Sequence, residues 1–139
     1  MPRHWILKTE PSEYAFSDLV RDGRTRWSGV SNAVALKHLR SMQRGDHALV
    51  YHTGNEKSIV GLARVASAPY PDPSLDDPRL VVVDVEAGEP LPRPVPLAEI
   101  KADPAFRDLG LVRVPRLSVV PAEPDQWKRL LRMAGVEGG

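Results

Sequence analysis

Fourteen prolines are spread along these 139 residues, and they restrict the fold more than any other feature. Each removes a backbone donor and fixes φ, which excludes it from helix interiors and from the middle of a sheet. The prolines therefore argue against a helical bundle and for many ordered loops. Two clusters stand out. The stretch 69–78 (PYPDPSLDDP) carries four prolines in ten residues and reads as an ordered surface excursion. The stretch 90–96 (PLPRPVP) reads as a rigid connection.

Periodic segments lie between these breaks. Residues 3–9 (RHWILKT) form a first strand, closed by Pro11. Ser17 and Asp18 start a short helix that Gly23 ends. Residues 25–30 (TRWSGV) are extended or a turn. Ser31 or Asn32 then caps a helix to about Gln43, with Ala35, Leu39 and Met42 on one face. Gly45 suits the left-handed position after that helix. Residues 46–53 and the segment SIVGLARVAS pair as a hairpin across GNEK. LVVVDVEA is a strand with apolar residues on both faces, as when both are covered. Residues 96–109 hold short helical turns, and 115–120 (PRLSVV) form a last strand. A final helix opens at Pro124, places Trp127, Leu130, Leu131 and Ala134 on one face, and stops at Gly135. No repeat and no flexible linker interrupts the chain. Five or six strands with three main helices, and no βαβ alternation throughout, predict one α+β domain on a curved mixed sheet or small barrel.

A chain of this length buries about two-thirds of its unfolded surface and folds without staples. It has no cysteine, so a disulfide framework, a thiolate–zinc site and a thiol nucleophile are all absent. The net charge of +1 leaves room only for a local nucleic-acid patch. The start, MPRHWILKTEP, lacks the apolar core of a secretory leader. No apolar run approaches the ~20 residues of a membrane helix. A cytoplasmic, monomeric module with no membrane contact is the expectation.

Standard catalytic motifs are missing: no G-x-S-x-G, no H-E-x-x-H and no Walker loop. His47 and His52 lie five apart on one strand, point to opposite faces and form no local metal pair. Asp72, Asp76 and Asp77 lack EF-hand spacing and read as a solvated loop. Neither a metal nor a cofactor is expected. Three places are more informative. Lys8, Thr9 and Glu10 gather at the end of the first strand, as a polar ligand edge or as a surface ion pair with a turn-capping Thr. Trp27 follows Arg24 and Arg26 and offers a base-stacking platform with phosphate-binding arginines, or else covers a core edge. Asn32 is a helix cap, and its amide is also the group that reads a base edge. Trp5 and Trp127 read as core residues.

In order, WILKTEP (5–11), WSGVSN (27–32), LRSMQRGDHALVYHT (39–53), IVGLARV (59–65), YPDP (70–73) and LVRVPRLSVVP (111–121) resemble the EVE domain along nearly the whole chain. EVE domains belong to the PUA-like superfamily, with the YTH readers of methylated adenine in RNA and the SRA readers of methylated cytosine in DNA. The resemblance implies a PUA-like curved mixed β-barrel flanked by helices. It also implies a pocket between the first strand, the W-x-G-V-x-N turn and the barrel mouth. By position, Lys8, Thr9, Glu10, Trp27, Gly29, Asn32, Tyr51 and His52 fall on the family's signature. The common form reads W-x-G-V-R-N, then an aromatic or proline, then Q-A-R. Here Ser31, Ala33, Val34 and Leu36 depart from it and remove two positive charges and a polar group beside the implied pocket.

Two functions follow from the resemblance. One is binding of a methylated or hydroxymethylated base on DNA or RNA, with Lys8, Thr9, Trp27, Asn32 and His52 converging on one cleft. The other is hydrolysis of an acylated nucleoside, as in the ASCH-type amidohydrolases, with a lysine activating the Thr9 hydroxyl. Adjacent positions on a strand should point Lys8 and Thr9 apart, which favours the reader.

Overall fold

The computed structural model describes residues 3–136. In chain order the elements are β1 (His4–Thr9), α1 (Phe16–Asp22), β2 (Arg24–Trp27), α2 (Ala33–Ser41), β3 (His47–His52), β4 (Ser58–Val65), β5 (Tyr70–Pro71) and β6 (Val81–Pro96). They continue with α3 (Leu97–Ala102), a 3₁₀ turn (Pro104–Phe106), α4 (Gly110–Arg113), β7 (Val119–Ala122) and α5 (Pro124–Met133). Six strands follow the order β2-β6-β4-β3-β1-β7, and β5 pairs with β6 off this path. Only β1 and β3 run parallel, with Leu7 opposite Val50 and Thr9 opposite His52.

The α+β architecture expected from the sequence is present as a curved mixed sheet that does not close. Helix α2 contacts both β6 and β7, which stand far apart in the strand order. The sheet therefore curls around α2, whose Ala35, Leu36 and Leu39 are buried. Strand β1 lies inside the sheet, and its Trp5, Ile6 and Leu7 are all at most 2% exposed. That explains its unbroken apolar run, since an interior strand covered on both faces shows no alternation. The buried carboxylate of Asp46 ties the entry of β1 to the turn before β3. It accepts from the Arg3 N–H (3.0 Å), the Trp5 Nε1–H (2.9 Å) and the Gln43 N–H (2.9 Å).

Several boundaries differ from those expected. The proline stretch 90–96 is no connection but the second half of β6, with Val95 opposite Ile59 and Pro96 opposite Ser58. Pro90 lies opposite Gly61, but the register then shifts before Val95 pairs with Ile59, and the Arg93 N–H donates outside the sheet to Ala134; such an interrupted ladder is where a strand tolerates proline. The last strand begins at Val119, after a turn in which Leu117 N–H donates to Val114. Gly45 has a φ of 97°, yet α2 ends earlier, at Ser41, with an extended Met42 as its cap. The Gly45 N–H instead donates to Val65, closing the turn into β3. Among the described residues the sheet has seven strands, against about five or six expected. One addition is β5, two residues at the edge of the 69–78 excursion, where proline is tolerated.

Gly61 sets the position of α1. A Cβ built there would lie 2.3 Å from the Phe16 ring, so only glycine lets that ring rest on β4. No helix among the described residues is long and apolar enough to cross a membrane.

Candidate functional site

Strand β2 alternates. Thr25 and Trp27 are the less exposed pair, and Arg24 and Arg26 are exposed. Trp27 forms one wall of a cavity of about 230 Å³, also lined by Thr9, Tyr14, Thr25, Arg26 and Ser28. That is below the about 300–1,000 Å³ of sites for drug-sized ligands and is on the scale of one ring system. Tyr14 meets Trp27 edge to face at 6.4 Å between centroids. The two rings make an aromatic corner, and Thr9, Thr25 and Ser28 add hydroxyls.

The frame around the corner is hydrogen-bonded. Thr9 Oγ1 donates to the Tyr14 carbonyl at 2.6 Å, which closes the turn after β1. The Tyr14 hydroxyl donates to Asp22 Oδ2 at 2.8 Å, and burial pushes its pKa up. His52 is buried. Its Nε2 accepts the Phe16 N–H at 2.9 Å, so the proton is on Nδ1, which donates to Glu56 at 2.6 Å. His52 thus holds the start of α1 and does not line the cavity.

The residues singled out by sequence divide into groups. Thr9, Trp27 and Arg26 meet at the cavity, with Gly29 (φ 81°) just beyond Ser28. Asn32 does not line the cavity; it caps α2, its Oδ1 accepting from Val34 N–H (2.9 Å) and Ala35 N–H (3.0 Å), which leaves only the Nδ2 donors for a ligand that extends past Gly29. Glu10 accepts from the Ser12 backbone and hydroxyl and from Thr53 Oγ1, and these bonds hold its carboxyl below the usual range. Arg24 pairs with Asp84 at 2.9 Å and Glu86 at 3.6 Å, and Arg26 with Asp72 at 3.6 Å. The Arg24 pairs are partly exposed and weak, so a phosphate can compete for that guanidinium, whereas Asp72 is buried and holds Arg26 more firmly. Lys8 and Tyr51 do not join the group. They line a separate cavity with Thr53 and Lys57, where Lys8 Nζ donates to the Pro115 carbonyl at 2.7 Å.

Tyr14, Thr25 and Ser28 were not expected from the sequence. Alternation from Trp27 was enough to find Thr25, and Ser28 adjoins it. Tyr14 had no signal beyond being an aromatic in a turn.

The fold and the cavity define a class: a small curved-sheet module with one aromatic-cornered recess beside the end of its first strand. The chain belongs to the EVE domain family, whose model matches residues 3–133. Thymocyte nuclear protein 1 of Homo sapiens is 28% identical over 94% of this chain and 73% of its own length. The NMR structure of Rpa0253 from Rhodopseudomonas palustris superimposes with a TM-score of 0.92 at 38% identity, covering 99% of this chain and 96% of that one. The crystal structure of human THYN1 protein in complex with 5-methylcytosine-containing DNA gives a TM-score of 0.87 at 28% identity over 97% of this chain and 99% of that one. An ASCH protein from Zymomonas mobilis, at 10% identity and a TM-score of 0.55, shares the fold alone.

Proposed function

We propose that this chain binds a methylated or hydroxymethylated base, extruded from DNA, in the cavity between Thr9 and Ser28. The observation that carries the reading is the aromatic corner of Tyr14 and Trp27 with hydroxyls around it. Membership of the EVE family and the likeness to a relative crystallised with 5-methylcytosine-containing DNA support it. Extruding a base costs a few kcal/mol. Aromatic stacking returns ~1–3 kcal/mol per base, so binding is selective only if the modification adds contacts. In this reading Arg24 exchanges its carboxylate partners for a phosphate beside the extruded base, and Arg26 reaches a phosphate while keeping Asp72. The module acts as a monomer in this reading: its exposed large apolar residues, Val20, Val34, Leu75 and Val114, are scattered over separate segments.

The hydrolase reading loses its geometry. Lys8 and Thr9 line different cavities, and the Thr9 hydroxyl is committed as a donor to Tyr14. A lysine on one face of β1 does not activate a hydroxyl on the other.

The test is a panel of short oligonucleotides, each with one modified base or its plain twin, as DNA and as RNA, at fixed salt. Tighter binding to at least one modified DNA than to its twin is expected. Equal affinity across every pair refutes the proposal.

A further inference from the structure

The second cavity, about 270 Å³ in volume, lies on the other side of β1 and has the opposite character to the first. Its floor is the Tyr51 ring with Leu97 and Leu111, and Lys8, Lys57 and Lys101 converge on it from β1, the β3–β4 turn and α3. Among the described residues, none of the three lysines has a carboxylate within salt-bridge distance. Glu10 approaches Gly54 at the edge but is engaged by Ser12 and Thr53.

Three further observations point to a ligand. Tyr51 is only 4% exposed and lines the recess, and among the described residues its hydroxyl makes no hydrogen bond. Lys8 Nζ sits 5.7 Å from the centre of the Tyr51 ring, a cation–π distance, with two of its three donors left after the bond to Pro115. Lys57 has a φ of 45°, the one non-glycine positive φ among the described residues, and its carbonyl is fixed by the Leu97 N–H at 2.8 Å. A left-handed lysine is uncommon, and here it is locked beside the recess.

We infer that this second cavity binds a phosphate group, held by Lys8, Lys57 and Lys101 and by the Tyr51 hydroxyl. Three ammonium groups favour a phosphomonoester, largely dianionic at neutral pH, over a carboxylate monoanion, and lysine is an established phosphate-binding side chain. Burial pushes the Lys8 ammonium pKa down, and an anion in the recess opposes that shift. The phosphate comes either from a free nucleotide or from a nucleic-acid strand; the oxygens of both accept from the same donors, and the charge preference is full only for the monoester. The inference does not depend on base binding in the first cavity.

The test is an amide NMR titration of the whole chain with inorganic phosphate at constant ionic strength and pH 7.5. Saturable shifts at Lys8, Tyr51, Thr53 and Leu97 are expected. Affinity should fall at least tenfold in Lys57→Gln/Lys101→Gln, and at least threefold in Tyr51→Phe, which keeps the floor and removes the hydroxyl. Acetate should bind at least fivefold more weakly. A deoxynucleoside 5′-monophosphate that outcompetes a short unmodified oligonucleotide assigns a free ligand; the reverse order assigns a strand phosphate. Absence of saturable shifts, unchanged affinity in the double-lysine variant, or equal binding of acetate overturns the inference. The two lysines lie outside the first cavity, so their replacement should leave the ratio of modified to plain DNA affinity unchanged.

Discussion

Trp27→Ala separates two roles that one side chain combines. Trp27 is 7% exposed and belongs to the main core, yet one face of it lines the cavity. The core role sets the cost in stability: truncating a buried aromatic loses ~3–5 kcal/mol. For a domain of this size each kcal/mol lowers Tm by about 3–4 °C, so a fall of about 10–20 °C is expected. The cavity role sets the cost in binding: one stacking platform is worth ~1–3 kcal/mol, or about 5–150-fold in affinity. Trp27→Phe keeps a ring against Tyr14 and should lose less of both. The assay is thermal unfolding by circular dichroism, followed by anisotropy binding at 10 °C, where the variant is still folded. The number to follow is the ratio of modified to plain DNA affinity. If Trp27→Ala lowers Tm as expected but leaves that ratio unchanged, Trp27 is a core residue only and the base does not stack there.

Asn32→Ser keeps an oxygen cap for the Val34 and Ala35 N–H groups and should change stability by under ~0.5 kcal/mol, whereas Asn32→Ala should cost ~1 kcal/mol. Weaker base binding in the serine variant, measured by anisotropy, assigns the Nδ2 donors to the ligand. Gly61→Ala drives a methyl into the Phe16 ring and should cost ~1–3 kcal/mol in urea denaturation, with much of the loss recovered by Phe16→Leu in the same chain. Stability should also fall with acid in two stages. Burial lowers the folded pKa of His4 and His38, so the stability present above the unfolded value of about 6.5 is lost as pH falls through their folded values. The Tyr70 hydroxyl and Arg24 depress Asp84, and Arg129 depresses Asp103, so a second loss follows below about pH 4. Urea midpoints at pH 8, 5 and 3 should decline in that order, and His4→Gln/His38→Gln should remove the first step.

Interior strands and amphipathic helices were legible because their signals are local. The apolar run of β1 and the Trp127, Leu130, Leu131 stripe of α5 state burial without reference to the rest of the chain. The second half of β6 was not legible, because its prolines hide a strand whose ladder to β4 is interrupted by a register shift. That partner lies some thirty residues earlier. The candidate site was half legible. Alternation placed Lys8 opposite Thr9, but family position grouped them, and the fold agrees with the alternation. His52 carried a signature position without lining the recess: its ring is consumed by the Phe16 N–H and Glu56. Tyr14 became visible only once the turn after β1 had folded it against Trp27.

The two recesses differ in how far along the chain their walls are gathered. Every residue lining the first falls within positions 9–28, while the contact between Lys8 and the Pro115 carbonyl in the second spans 107 positions. At a synthesis rate of about 5–20 residues per second, the first wall set emerges early and the lysine recess waits about 5–20 s more for its last wall. Contacts of such separation are the slow ones to form. The same asymmetry holds in the finished molecule. A partial opening that frees the segment from Pro115 to β7 dismantles the lysine recess and strips one edge of β1, yet leaves the aromatic corner seated on β6. Occupancy of the lysine recess therefore reports whether the first and last strands are joined, and a ligand there acts as a clasp between regions that synthesis brings together last.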